Sequence, residues 1–201
     1  MAIGSPDKAA RLDQLRTYAR VQVWSGYQRD EDVRSDVYDA VLDEVKDAKE
    51  AAVLTDRFLD DARAALAQAA TRWPPLSAFD RLQAAFADLR SAGVVVLEAV
   101  DDHWVAQETL ELAAERGRRP LGIVYFTPAD VWHAVEHSML ELNVWHGTSA
   151  NVAPGDGLLE LVTGTLGRHG IESLFDEGRV EVSVAWERRP ARVSTAADLA
   201  L

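Results

Sequence analysis

Residues 171–186 read IESLFDEGRVEVSVAW. Two runs rich in apolar residues flank Asp176-Glu177-Gly178, and in the second run Val180, Val182, Val184 and Trp186 share a face at a spacing of two. Such alternation marks a half-buried strand, and a short glycine-bearing turn between two such runs closes a β-hairpin. An antiparallel pair here decides the fold class. A doubly wound sheet would need parallel strands joined by helices throughout, so α+β is predicted instead.

Upstream, GVVVLEA (93–99) and LGIVYF (121–126) are short buried strands, and LELNVWH (140–146) alternates as a third. Between them the spacing predicts a helix over about 104–117 and another opened by Thr127-Pro128-Ala129-Asp130. A further helix runs from Leu158 to His169 with Gly170 as its stop. Before Gly93 the period is helical. Ser5-Pro6-Asp7 supplies a cap for the stripe Leu12, Leu15, Ala19 and Val23, which stops at Gly26. Asp32 is placed to cap a helix bearing Val33, Val37, Ala40, Val41 and Val45. A third helix carries Phe58, Ala62, Leu66, Ala69 and Trp73 up to Pro74-Pro75. Ser77 and Asp80 form a capping box for Leu82, Ala85, Phe86 and Leu89. The chain thus divides into a helical region (1–92), an α+β region (93–190) packed with it as one unit, and a loose tail (191–201).

Charge narrows the function. The 201 residues carry 33 acidic against 21 basic side chains, a formal net charge of -12. Residues 1–92 hold 16 acidic and 13 basic groups, residues 93–201 hold 17 and 8, and every lysine (Lys8, Lys46, Lys49) lies in the first part. An acidic, lysine-free second half repels phosphate, which argues against nucleic-acid and anionic-membrane partners. Without cysteine there is no disulfide framework, thiol nucleophile or thiolate metal site. The opening MAIGSPDKAARLDQLR reaches charge too soon for a signal peptide, and no apolar run spans a bilayer, so a cytoplasmic protein is expected. Arginine outnumbering lysine, with abundant alanine, suggests a GC-rich bacterial genome.

VQVWSGYQRDEDV, with Trp24, Gly26, Tyr27, Asp30 and Glu31, resembles the N-terminal signature of an uncharacterised, mainly actinobacterial domain family. RWPPLSAFDRLQAAFADLRSAGV is similar to its central signature through Trp73, Pro74, Asp80, Arg81, Leu82, Ala85, Phe86 and Gly93. GIESLFDEGRVEVSVAWERR resembles its C-terminal hairpin, with Gly178, Trp186 and Arg189. The resemblance spans roughly residues 15–190 and implies no activity. Near YFTPAD the family's pattern has a histidine and a glutamine, where this chain has Thr127 and Ala129 and only Asp130 matches. That departure weakens any catalytic role carried over to the segment.

Two constellations could carry chemistry. His133-Ala134-Val135-Glu136-His137 satisfies H-x-x-E-H, in which two imidazoles bind zinc and the glutamate activates water. At 100° per residue Val131, Trp132, Val135 and Met139 form the apolar side, which puts His133 and His137 on the opposite, solvent-facing one. His146 and Glu160 are conceivable third ligands. Glu98, Asp101, Asp102 and His103 follow the first strand, and the three carboxylates could hold Mg²⁺ or Ca²⁺, although a turn in which Asp101 and Asp102 cap the next helix, with Glu98 solvated, is the better-supported reading. The loop 147–157 lacks the phosphate-binding and nucleophile-elbow patterns, which excludes nucleotide and serine-hydrolase chemistry. Six tryptophans could line a groove, and Trp132 and Trp145 are the two to examine for exposure.

The sequence therefore favours a non-catalytic cytoplasmic interaction or regulatory protein. It has no assigned catalytic residue or cofactor, and its acidic surface meets a basic protein partner or a second copy of itself. The alternative is a metal-dependent enzyme or module at His133, Glu136 and His137 or at Glu98, Asp101 and Asp102.

Overall fold

The computed structural model describes residues 8–190. The cap at Ser5-Pro6-Asp7 and the tail from residue 191 lie outside the described residues. Helices α1 (Lys8–Ser25), α2 (Asp30–Val45) and α3 (Ala48–Ala70) come first. Ala19, Val33, Val37, Val41, Ala51, Phe58 and Leu59 close on one another as a small core of their own. Asp47 caps α3 by accepting the Lys49 and Glu50 N–H groups at 2.9 and 2.8 Å. Two boundaries differ from the sequence reading. The second helix starts at Asp30, which puts Asp32 inside a first turn of three carboxylates, where the helix dipole favours them. The third stops at Ala70, because a residue preceding proline is disfavoured in helix, and Trp73 falls in the turn.

Helix α4 (Ala78–Ser91) leaves this bundle for the sheet. Ser77 Oγ accepts the Asp80 N–H at 3.1 Å while Asp80 accepts the Ser77 N–H at 2.8 Å, the reciprocal box its sequence predicts. The sheet has five strands in the order β1 (Val94–Leu97), β2 (Gly122–Tyr125), β3 (Met139–His146), β5 (Arg179–Ser183), β4 (Ser173–Asp176). β1 and β2 are parallel and the other pairs antiparallel, so the class is α+β. Helix α5 (His103–Glu115) joins β1 to β2, α6 (Pro128–His137) joins β2 to β3, and α7 (Gly157–Arg168) precedes the hairpin. The hairpin turn has φ 44° at Glu177 and 87° at Gly178, the two positive values that match a two-residue turn to strand twist.

The two faces of the sheet are treated differently. On one, Val94, Val96, Val124, Leu140, Leu142, Val144, Val180 and Val182 meet the apolar stripes of α4 and α7 in the main core. On the other, Ala106 and Leu110 of α5 cover Ile123 and Tyr125 on β2. Past β2 this second face turns polar. Glu141, Asn143, Arg179 and Glu181 alternate with the buried valines and leucines, and Leu174 is 64% exposed. Half a sheet face is left without an apolar cover.

Candidate functional site

A cleft of about 850 Å³ lies over that open half. Tyr125, Asn143 and Trp145 form its floor, with Glu141 and Arg179 paired to each other beside them. Its walls come from the segments that follow the two parallel strands: Asp101, Asp102 and His103 after β1, and Thr127 to Asp130 with His133 after β2. The carboxyl ends of parallel strands are where α/β sheets commonly place ligands. Glu177 and Gly178 of the hairpin turn close the far side. Tyr125 and Asn143 sit opposite each other in the β2–β3 register, and Trp145 meets the Tyr125 ring edge-on at 4.9 Å and 77°.

Local chemistry fixes both helix entrances at this cleft. Asp102 caps α5 by accepting the Trp104 and Val105 N–H groups at 2.8 and 3.3 Å. Asp130 Oδ2 accepts the Thr127 N–H at 2.7 Å and its hydroxyl at 2.8 Å, and the residue is 7% exposed. The Tyr125 phenol is pushed up to about 12 by burial, with Arg179 pulling it down and Asp130 pushing it further up.

Of the metal-ligand candidates singled out in the sequence, His133, Asp101 and Asp102 share the cleft, and the others stand elsewhere. His133 lines the cleft with its Nδ1 buried and without a hydrogen-bond partner, whereas His137 is exposed and its ring centroid is 6.2 Å away. Glu136 turns from both and pairs with Arg20 of α1. The helix is also rotated relative to its apolar count. Val131, Ala134 and Asp130 are buried, and Trp132 is 39% exposed. The expectation that both imidazoles look outward therefore holds for His137 alone, since the sheet's polar face accepts His133 and Asp130. His146 Nε2 is bonded to Asp156 at 2.9 Å, and Glu160 is exposed on α7. Among the described residues no three histidines, aspartates or glutamates converge as a metal site.

Asp101 and Asp102 both line the cleft, Asp102 with its carboxylate engaged as the cap of α5. Glu98 is neither solvated nor free: it accepts from the Tyr27 hydroxyl at 2.9 Å, Gln83 at 2.7 Å and Arg90 at 2.8 Å. Burial pushes its carboxyl up, but these bonds outweigh it and hold the group below the usual carboxylate range. A depressed carboxyl stabilises the fold above its unfolded pKa, about 4.3, and loses that contribution as pH falls through the folded value. Melting curves across acid pH should show wild type more stable than Glu98→Gln near neutrality, with the gap closing below about pH 4.

Tyr27 begins a second convergence. Its ring lies 6.1 Å from Trp186 and 5.9 Å from Phe126, and the Arg188 guanidinium stacks on it at 4.0 Å. Arg188 also donates to the Ser25 carbonyl at 3.2 Å, beside Gly26, whose φ of 70° lets the chain turn there. Phe79 meets Trp186 at 5.0 Å, Arg189 donates to Asp80 at 3.1 Å, and the Ala78 N–H donates to Glu187 at 3.1 Å. The three segments around Trp24–Tyr27, Trp73–Asp80 and Trp186–Arg189 thus meet in one aromatic–arginine knot. Nothing in the structure explains Arg81, whose Nε is buried without a partner.

A family described as a domain of unknown function, DUF6891, matches residues 8–190. The chain belongs to DUF6891. No curated protein and no solved structure matches it. The DUF6891 span takes in the bundle, the knot and every residue of the cleft, and family membership adds no activity to them. Sequence reasoning missed Tyr125, Asn143 and Arg179, and among the six tryptophans it did not pick out Trp104, which is 61% exposed. The period of two in LELNVWH was the one available signal, since it sets Glu141, Asn143 and Trp145 on a common face.

Proposed function

We propose that this protein is a non-catalytic cytoplasmic binding protein whose cleft takes a basic segment of a partner protein. The charge of the cleft carries this reading. Asp101, Asp102, Asp130, Glu141 and Glu177 line it, and the single arginine among the lining residues, Arg179, is already held by Glu141. Asp176 and Glu181 extend the same sign into an adjoining depression. The two helix N-termini at the cleft, which would otherwise attract an anion, are filled by Asp102 and Asp130. His103 packs on Trp104 at 4.5 Å beside Trp145, giving the rim the aromatic anchors common at protein interfaces.

Catalysis draws less support. The Ser149 hydroxyl donates to the Thr148 carbonyl at 2.6 Å rather than to the His146–Asp156 pair, so no activated nucleophile is formed there. The metal-dependent alternative lacks a converging ligand set among the described residues.

Calorimetric titration with short capped peptides tests the proposal. A peptide of alternating glycine and arginine should bind at low ionic strength and weaken as salt is added, while its glutamate counterpart gives no heat. Absence of binding by the arginine peptide at low salt would overturn it.

A further inference from the structure

We infer that the inner end of the cleft is a subsite for one arginine side chain of that partner, seated between the Tyr125 hydroxyl and the free oxygen of Asp130. The inference rests on the binding reading above and adds to it a residue type and a seat.

Two largely buried residues lining the cleft here have unused accepting capacity. Tyr125 is only 3% exposed and lines the cleft, yet its hydroxyl makes no hydrogen bond among the described residues. The hydroxyl is therefore open to a hydrogen-bond donor that enters the cleft. Asp130 spends Oδ2 on the Thr127 cap, while Oδ1 receives no hydrogen bond among the described residues. Asn143 lies across the register from Tyr125 and adds an amide to the same floor.

The group that suits these two acceptors donates several N–H bonds and carries positive charge. With its phenol raised to about 12, Tyr125 is neutral at physiological pH and offers its oxygen lone pairs to such a donor. A planar guanidinium can direct one edge to Asp130 and another to Tyr125 while resting against the half-buried Trp145. An ammonium satisfies the charge but neither the fork nor the stacking. Arg179 does not fill the seat, because its guanidinium is drawn to Glu141.

The test uses the full chain and the glycine–arginine peptide, with its glycine–lysine counterpart and arginine amide as further probes. Tyr125→Phe removes an unpartnered hydroxyl, so its melting temperature should equal that of wild type while peptide affinity falls about threefold to tenfold. Asp130→Asn should weaken binding by about tenfold or more. Wild type should prefer the arginine peptide over the lysine one, and Tyr125→Phe should lose that preference. If the arginine peptide binds and both variants bind it as wild type does, the subsite is wrong and the binding function stands. No arginine-peptide binding to wild type sinks the function itself. Arginine amide binding as tightly as the peptide would overturn a partner-borne arginine.

Discussion

Trp186→Ala should lower the stability of the chain by about 3–5 kcal/mol, a large part of the 5–15 kcal/mol that holds a typical domain together. Trp186 is 5% exposed and touches Tyr27, Phe79 and Phe126, so its removal opens a cavity at the point where α1, α4 and the end of the chain meet. Trp186→Phe should cost far less, about 1.5 kcal/mol or under, for two reasons. A phenyl ring retains the edge-to-face packing, and the substitution removes Nε1, which is buried without a hydrogen-bond partner. Urea midpoints at constant slope would separate the two variants. Equal losses would mean that the knot is held by something other than aromatic packing.

That knot shows which parts of the fold the residues announce. The boxes at Ser77–Asp80 and Thr127–Asp130 are made within four residues, so side-chain chemistry alone identifies both helix starts. The hairpin is equally local, since Asp176-Glu177-Gly178 and the alternating valines specify turn and register together. Glu98 was out of reach because its partners, Tyr27, Gln83 and Arg90, stand on other elements. Helix α6 was mis-rotated for a related reason. Its face is set by the sheet on one side and by α1 on the other, through an Arg20–Glu136 pair 116 residues apart that periodicity cannot register. The cleft needed the strand order. Asp101, Tyr125, Asn143 and Arg179 become neighbours only once β3 is inserted between β2 and β5.

The second large effect concerns that cleft. The double variant Asp101→Lys with Glu177→Lys places two cations where a basic segment would enter, so binding of the glycine–arginine peptide should fall by at least about a hundredfold at low salt. Asp101 is exposed and Glu177 sits on the hairpin turn, and neither has an ion pair or hydrogen-bond partner among the described residues. Stability should consequently stay within about 0.5 kcal/mol of wild type. The difference between mutant and wild-type affinity should shrink as salt is raised, because the added charges act through a partly solvated space. A double variant that bound the peptide normally would move the interface elsewhere on the surface.

The most direct measurement follows the six tryptophan indole N–H resonances while the glycine–arginine peptide is titrated into the protein. Trp145 in the cleft floor and Trp104 on its rim should shift together and saturate, while Trp24, Trp73 and Trp186, which belong to the bundle and the knot, stay in place. Saturating shifts confined to Trp24, Trp73 or Trp186, with Trp145 and Trp104 unmoved, would contradict the assignment of this cleft as the binding site.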